Sequence, residues 1–535
     1  MSAARVVGVH SAAELERRSS LFGALSEAFP AIRFVAREPG ELAEIDALIE
    51  FGDSAMAAGA AGAGTRALAL LGAESPAGTA AGVVLGDAEG IDLRLRGRTL
   101  TDRHLGAPAP LTVPAGGTVV AQHEGRPLWT RQGLLDVAAV GPDELGAAEP
   151  LRMRLRGERC LALLPLLELL RQLGDDGWRP PLPRASFLLD DPNLHWPSYG
   201  FVKLRELADH GDRHGYHLAL AMVPLDAWFA HPAAARLLRE RDSLSLLVHG
   251  NDHLAQELGR ADAGALPLAA QAQRRSDVFE RRSGVPVSRV MAPPHEACSA
   301  AIADALPRVG FDAITMTRPF PWLAPSPEQW LTESPEGGRL TGWRPADVTP
   351  NGLPVMLRHP LAGSGHSPSE VVLRAYLNQP LILYGHQEDL ADGLDVLAQL
   401  TAEVNRLGIA GWNSLGEIGA ANFARRREGD SLRIRPYCRR VEVEIPDGVT
   451  ELVVERPEES RANDSVQAPG REARFGEALP VRAGERLELN LVAPDAVSSA
   501  TIPTPPRRAW PLARRIAAEA RDRAAPLRRR AGSRH

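Results

Sequence analysis

Between residues 184 and 422, short apolar runs typical of strands alternate with stretches of helical periodicity. Runs of this length, separated by helical segments, are typical of parallel strands joined by crossover helices. The alternation therefore restricts this region to an α/β fold and predicts a parallel barrel, complete or distorted. Strands are expected at residues 186–189, 217–222, 244–248, 287–291, 313–315 and 380–384, with helices at 201–214 and 268–283 among the segments between them.

The first 150 residues also alternate strand-like and helical segments, which predicts a separate N-terminal α/β domain. This region is distantly similar to class I glutamine-amidotransferase-like domains, but it contains no cysteine to serve as that family's nucleophile. We therefore expect a non-catalytic accessory domain. Its strands are expected at residues 5–10, 32–36, 47–51 and 67–71, with an amphipathic helix at 11–29.

The segments after the first domain and after the barrel have their own patterns. Residues 151–183 are expected to form a helix at 152–173, packed against the neighbouring barrel region, and a Gly/Pro-rich connector. After the barrel at 184–425, strand patterns alone predict a small β-sandwich-like domain over residues 428–495.

Residues 496–535 are rich in Pro, Ala and Arg, and we expect a basic tail that is solvated or disordered. The alternative is that residues 510–525 form a basic amphipathic helix that meets acidic lipid or a protein partner.

Length and composition limit the class of protein. A chain of 535 residues is too long for one ordinary core, so several domains are expected. The net charge of -6 argues against nucleic acid as a partner. Cys160, Cys298 and Cys438 are too far apart in sequence to indicate a disulfide framework or a thiolate metal site. With no signal-peptide pattern and no apolar run of transmembrane length, we expect a cytoplasmic enzyme whose only membrane contact would be a peripheral one through the basic tail.

Two carboxylates and two histidines follow strands of the predicted barrel, where barrels of this type place their chemistry. Asp190 and Asp191 come directly after an apolar run, and His249 and His253 come after the strand at 244–248. Spaced by four on a turn of helix, the two imidazoles would face the same way. Two imidazoles and one carboxylate leave coordination positions of a metal ion open for water and substrate. The second carboxylate could act as a base on that water, which predicts hydrolysis at a mononuclear metal site.

Each of these motifs also has an ordinary structural interpretation. Asp-Asp-Pro-Asn is good turn chemistry, and an isolated pair of histidines on a surface is usually inert. The occurrence of both pairs in one domain, each after a buried strand, favours the metal site.

Three further segments supply candidate residues around this site. His386 follows the strand at 380–384 and could protonate a leaving amine, although an isolated histidine is more often structural. Pro294 rigidifies a loop that could hold a backbone amide towards an oxyanion or present the His295 side chain to substrate. Asn193 and Trp196 would lie on the rim, where the tryptophan could stack on a sugar ring or pack under the loop.

The order Asp-Asp, His-x3-His, Pro-Pro loop and strand-end His resembles the NodB-like polysaccharide deacetylase superfamily, carbohydrate esterase family 4 and its relatives. The resemblance covers about residues 183–422, less than half of the chain. It implies a distorted (β/α) barrel and a divalent metal ion, most often zinc. It also implies that Asp191, His249 and His253 are the metal ligands, that Asp190 is the general base, and that His386 is the general acid. The backbone amide at His295 would help to hold the oxyanion.

The chain departs from that family's pattern at several positions. The third motif of the family reads Arg-Pro-Pro-Tyr, and its arginine tethers the catalytic base; this chain has Ala292 and His295 at the arginine and tyrosine positions. We therefore expect Arg289 or another cation to replace the missing arginine. Gly250 follows the first histidine, where the family usually has Ser or Thr.

These observations predict a metal-dependent hydrolase that removes an acetyl or similar acyl group from an N-acylated carbohydrate, with water activated by the metal. The same machinery could hydrolyse another non-peptide C–N bond or an O-acetyl ester. A non-enzymatic alternative is a degenerate barrel that binds glycan or scaffolds a complex, which the missing arginine favours.

Overall fold

The computed structural model describes residues 4–146, 149–174, 177–254, 256–259, 264–317, 342–349, 351–457, 464–503, 505 and 509–532. The chain divides into two compact units. The first comprises Met1–Trp178, Thr341–Trp343 and Ser367–Leu377, and the second comprises Arg179–Leu340, Arg344–His366 and Asn378–His535.

The first unit is built on one nine-stranded mixed sheet, which confirms the N-terminal α/β fold. Five strands at one side are parallel, and the remaining four continue the sheet in antiparallel pairs. Its helices are Ala12–Arg17, Ser19–Ala28, Ala55–Gly62, Leu164–Leu173 and Pro368–Tyr376. Across the sheet the strands are Ile32–Ala36, Arg5–His10, Ala47–Phe51, Arg66–Leu70, Leu135–Ala138, Arg126–Gln132, Thr118–His123, Ala81–Leu85 and Thr99–Asp102.

Two helices differ from the sequence-based expectation. The segment at 11–29 is two helices that meet at Arg18, and the α-helix expected at 152–173 covers only Leu164–Leu173 after a 3-10 turn at Leu151–Arg154. The expectation at 152–173 was wrong because a tertiary contact holds its middle: the carboxylate of Asp102 accepts hydrogen bonds from the backbone amides of Cys160 and Leu161. The helix belongs to the first unit, where Tyr376 donates to Glu168.

The second unit contains a closed barrel of seven parallel strands. The barrel closes because the strand Arg184–Asp190 pairs on one side with Leu218–Met222 and on the other with Leu381–Gly385. The distorted (β/α) barrel predicted from the sequence is confirmed. In order around the barrel, the strands are Arg184–Asp190, Leu218–Met222, Leu244–His249, Val287–Ala292, Ala313–Met316, Pro354–Pro360 and Leu381–Gly385.

The strand Pro354–Pro360 was missed in the sequence because Arg358 and His359 interrupt its apolar run, although both side chains are buried. Two short strands extend the barrel: Gly411–Trp412 pairs in parallel with the beginning of Arg184–Asp190, and Asp347–Val348 pairs antiparallel with Pro354–Pro360. The helices of this region are Leu204–His214, Pro232–Glu240, Ala265–Ser283, Ala300–Arg308, Asp395–Asn405 and Leu415–Ala420.

After the barrel, two four-stranded sheets form the β-sandwich-like domain that the sequence predicts. One face of each sheet contributes to a shared apolar core that includes Leu432, Ile434, Leu452, Val441 and Leu489. The first sheet has the order Phe423–Glu428, Ser431–Pro436, Glu451–Val454, Ala478–Pro480; the second has Arg440–Glu444, Arg486–Val492, Ser465–Ala468, Arg471–Arg474.

The segment expected to be a solvated or disordered tail contains a 24-residue α-helix, Ala509–Gly532, which we call the C-terminal helix. The disordered interpretation is wrong for these residues because several of their charged side chains pair with residues of the barrel region. None of the helices in the described part of the chain has the length and hydropathy needed to cross a bilayer.

Candidate metal centre

The carboxyl ends of the barrel strands bring the sequence-predicted residues together. Asp190 is the last residue of one strand and Asp191 follows it, while His249 is the last residue of the third strand. Because parallel strands of a barrel end at the same rim, residues distant in sequence converge there. In the described residues, one group of side chains has the composition and spacing for a metal ion: Asp191, His249 and His253.

The two histidines converge by a route that the sequence did not indicate. His249 ends a strand and His253 lies on the loop that follows it, not on the same turn of helix, with Gly250 at φ 63° and His253 at φ 54°. The partly buried carboxylate of Glu257 shapes this loop by accepting hydrogen bonds from the backbone amides of four consecutive residues, Asn251 to Leu254. The expected helical spacing was therefore wrong, although the imidazoles do lie together, with ring centroids 5.1 Å apart.

Gly250 is required at its position for two reasons. Its φ lies in the left-handed region that favours glycine, and a Cβ there would lie 2.6 Å from Cγ of Pro294. The departure from the family's Ser or Thr thus reflects the close approach of the Pro-Pro loop.

Backbone strain is concentrated around the same site. Among the non-glycine residues with positive φ in the described chain, four belong to the candidate site: Asp191, His253, His295 and Glu296. Such conformations cost about 1–3 kcal/mol each and persist where the surrounding structure fixes them, most often at functional sites.

The donor atoms of the three side chains lie at the separations expected for ligands of one ion. His253 Nε2 is 2.8 Å from Asp191 Oδ1, and His249 Nε2 is 3.7 Å from the same oxygen. Ligands about 2.0–2.2 Å from a tetrahedral zinc ion would be about 3.4 Å from one another. Asp191 Oδ1 is buried without a hydrogen bond of acceptable geometry, which is the kind of atom that a cation would satisfy.

The protonation of the cluster also suits a cation. Burial lowers the pKa of His249 to about 4, so its imidazole is neutral near pH 7. Its Nδ1 lies 2.8 Å from the carbonyl oxygen of Ala292, so that the proton is on Nδ1 and Nε2 is free to coordinate. Burial alone would raise the pKa of Asp191, but His253, His249 and Arg515 together hold it well below its usual range. The residues present therefore fit a divalent metal ion.

Asp190 has a guanidinium partner that the sequence did not reveal. The carboxylate is 3% exposed, and Arg358 Nη1 lies 2.9 Å from both of its oxygens. Arg358 also donates a hydrogen bond to Glu296. Burial alone would lower the pKa of Arg358, but the negative charges of Asp190 and Glu296 outweigh burial and keep this pKa above its usual range. Arg289, the replacement expected from the sequence, is paired instead with Asp277 and Glu280. Of the two alternatives that the sequence left open, Arg289 or another cation, the structure has the second: the cation is Arg358, from the strand Pro354–Pro360.

His295 and His386 lie at the edge of the site and are exposed. The His295 ring is 5.3 Å from the ring of His253. Partial desolvation lowers the pKa of His295, and the neighbouring His253 and His386 lower it further. The backbone amide of His386 donates to Asp389.

Two candidate rim residues have different environments. Asn193 is 1% exposed, and its side-chain oxygen accepts a hydrogen bond from the backbone amide of His195, which is a turn contact. Trp196 is 51% exposed, and the guanidinium of Arg523 lies 4.6 Å from the centre of its ring.

The C-terminal helix contacts the candidate metal centre, and nothing in the sequence motifs signalled this. Arg515 is buried, forms an ion pair with Asp226, and places Nη1 3.6 Å from Asp191 Oδ1. Arg514 donates to the backbone carbonyl of His253. Arg515 and Asp226 also border a cavity of about 350 Å³, whose apolar walls are Trp228, Leu512 and Ile516.

Comparison with known proteins finds similarity in solved structures alone. No protein-family model matches the sequence, and no curated protein matches it. The similar structures include a T48 deacetylase with substrate, with 14% identity and a TM-score of 0.24 over 43% of this chain and 94% of the other. The family 4 carbohydrate esterase from Streptomyces lividans in complex with acetate has 13% sequence identity and a TM-score of 0.22, and the match covers 43% of this chain and 88% of the other. The polysaccharide deacetylase Bc1974 from Bacillus cereus has 11% sequence identity and a TM-score of 0.24, and the match covers 44% of this chain and 93% of the other.

A matched pair of histidine variants tests the cluster as a metal site. We expect elemental analysis of the purified protein to give about one divalent ion per chain, and His253→Gln to lower this at least about tenfold because one of three ligands is lost. His195→Gln, which changes a histidine beside the cavity but outside the cluster, should retain the metal. Equal metal content in both variants would contradict the assignment.

Proposed function

We propose that this protein is a metal-dependent hydrolase that removes an acetyl or similar acyl group from an N-acylated carbohydrate. The observation that carries the proposal is the position of Asp190. It is fixed by Arg358, and its neighbour Asp191 belongs to a three-residue cluster with metal-ligand spacing.

Asp191, His249 and His253 would hold the ion, for which zinc is the expected identity because the donor set is two imidazoles and one carboxylate. When bound, such an ion polarises an acyl carbonyl and lowers the pKa of a water molecule. The remaining chemistry belongs to side chains of the protein.

Asp190 would accept the proton of the attacking water. A general base must be held in one orientation, and the contact of Arg358 Nη1 with both carboxylate oxygens does this. Both side chains are buried, so neither can reorient freely. Glu296 accepts from the same guanidinium and fixes it from the other side.

Hydrolysis of an amide needs a proton for the departing nitrogen and a group that holds the carbonyl oxygen, and we assign these roles to His386 and to the loop of His295. The hydroxyl group of water is transferred to the acyl carbon as the C–N bond breaks, and the departing nitrogen takes a proton. His386 would donate that proton, and the loop of Pro294 and His295 would hold the carbonyl oxygen through the backbone amide of His295. Acetate and a free amine are the products.

The cavity bordered by Arg515 and Asp226 would receive the carbohydrate beside the cluster. Its volume of about 350 Å³ falls in the range of small-molecule pockets. Trp228 on its wall, and Trp196 on the rim, present rings of the kind that stack on sugar faces.

The geometry weakens the alternative of a degenerate glycan-binding module. That alternative drew support from the missing tethering arginine in the Pro-Pro motif, and Arg358 supplies an equivalent contact from another strand.

The acyl group that is hydrolysed can be identified with a panel of substrates. N-acyl groups other than acetyl, and O-acetyl esters, present a similar carbonyl, so the panel is scored for released acetate, formate and ammonia.

The role of Asp190 is tested by Asp190→Asn. We expect metal content to be unchanged and turnover of an N-acetylated sugar substrate to fall at least about 100-fold, because the amide cannot accept the proton. Asp209→Asn, which removes an exposed carboxylate paired with Arg241, serves as the control and should retain activity. Full activity in Asp190→Asn would exclude the mechanism.

The role of Arg358 as a positioning residue is tested by exchanging it for lysine. We expect Arg358→Lys to lower kcat by about 10–100-fold with little change in KM, because a single ammonium cannot reproduce the planar contact with Asp190 and Glu296. Arg289→Lys is the matched control and should be neutral. Equal kcat values for the two variants, at equal metal content and thermal stability, would refute the assignment.

A further inference from the structure

The C-terminal helix leaves large apolar side chains exposed although it is docked on the barrel region, and two of them also border the cavity. Arg515 and Asp522 are buried against the rest of the chain, whereas the residues pointing outwards are largely apolar. A surface helix ordinarily has the opposite arrangement, with its apolar stripe facing the core. The large apolar residues of this outer face are Trp510, Leu512, Ile516 and Leu527, which are 70%, 42%, 60% and 67% exposed.

Ion pairs and hydrogen bonds fix the helix in this orientation. Arg515 pairs with Asp226, and Tyr199 donates to Asp522 at 2.9 Å. The Nδ1 atom of His195 lies 3.4 Å from the carboxylate of Glu519. Rolling the helix to bury these apolar side chains would break the three contacts, so the exposure of its apolar side chains is a property of the docked helix.

The outer face continues onto the barrel region. Trp228 shares the cavity wall with Leu512 and Ile516, and the ring of Phe229 lies 5.8 Å from that of Trp228. Trp228 and Phe229 are 55% and 41% exposed. We call Trp228, Phe229 and the four large apolar residues of the helix the outer apolar surface. Within it, Trp228, Phe229, Leu512 and Ile516 form one connected exposed cluster, and exposed apolar clusters of this kind are common at interaction sites.

Charge distinguishes among the partners that such a surface could meet. The sequence of the C-terminal helix contains seven arginines and two acidic residues, although the chain as a whole carries a net charge of -6. Both acidic residues, Glu519 and Asp522, face the protein and are paired there. Among the helix side chains that the structure describes, the exposed charged ones are Arg521 and Arg529, and their guanidinium groups pair with Asp522 and Asp392. The surplus of arginines over acidic residues along the helix remains after these pairs are counted.

We infer that the outer apolar surface docks on a membrane with anionic lipids, with the C-terminal helix lying in the plane of the headgroups. Tryptophans, aliphatic residues and flanking arginines on one amphipathic helix are the combination that binds this interface. A negatively charged bilayer complements the local arginine excess. In a symmetric dimer, by contrast, the same helix of a second copy would bring its own arginines against this surface.

This inference does not depend on the proposed reaction, but it bears on it. Arg514 and Arg515, on the inner side of the same helix, contact the backbone of His253 and the carboxylate of Asp191. A helix is about 10–12 Å wide with its side chains, so docking would hold the candidate metal centre and its cavity close to the headgroup layer.

Co-sedimentation of the full-length protein with vesicles tests the inference. Vesicles of phosphatidylcholine with about one third phosphatidylglycerol should bind the protein at least about tenfold more tightly than phosphatidylcholine alone, and added salt should weaken binding. The triple variant Trp510→Ser, Ile516→Ser, Leu527→Ser should lower partitioning at least about tenfold because three interfacial apolar side chains are lost.

Leu182→Ser is the matched control, because Leu182 is 65% exposed but lies outside the outer apolar surface. Both proteins should have the wild-type circular dichroism and thermal transition. The inference is overturned if the wild type does not sediment with anionic vesicles, or if the triple variant sediments equally well. It is also overturned if, without lipid, the wild type forms a dimer that the triple variant does not, since the surface would then join two copies of the chain.

Discussion

Closure of the parallel barrel is the constraint on which the candidate site depends. The strand Arg184–Asp190 pairs with Leu218–Met222 on one side and with Leu381–Gly385 on the other, and these pairings complete the ring. Because all seven strands run the same way, the ends that carry Asp190, His249 and His386 meet at one rim. Residues separated by almost 200 positions in sequence therefore lie at the same end of the barrel.

Buried charge then determines how this rim is arranged. Arg358 lies between Asp190 and Glu296, and Arg515 lies between Asp191 and Asp226. Each guanidinium holds two carboxylates that burial would otherwise penalise. One cation comes from a barrel strand and the other from the C-terminal helix, so residues beyond the family-like motifs complete the surroundings of the two aspartates.

The sequence predicted those parts of the structure that depend on local pattern. The sequence predicted the barrel strands that have uninterrupted apolar runs, and it predicted that Asp191, His249 and His253 lie together. The strand Pro354–Pro360 was missed because a buried arginine does not look like a core residue, and Arg358 was missed with it. The loop between His249 and His253 was taken for a helical turn because nothing local shows that Glu257 captures its backbone amides. The orientation of the C-terminal helix depends on partners more than 250 residues away, which periodicity cannot reveal.

The most direct test of the account is the position of the metal in a crystal of the zinc-loaded protein. Anomalous diffraction at the zinc edge is predicted to give one peak per chain, about 2.0–2.2 Å from Asp191, His249 Nε2 and His253 Nε2. A peak bound by other side chains, or imidazoles turned away from the carboxylate in fully loaded crystals, would contradict the account.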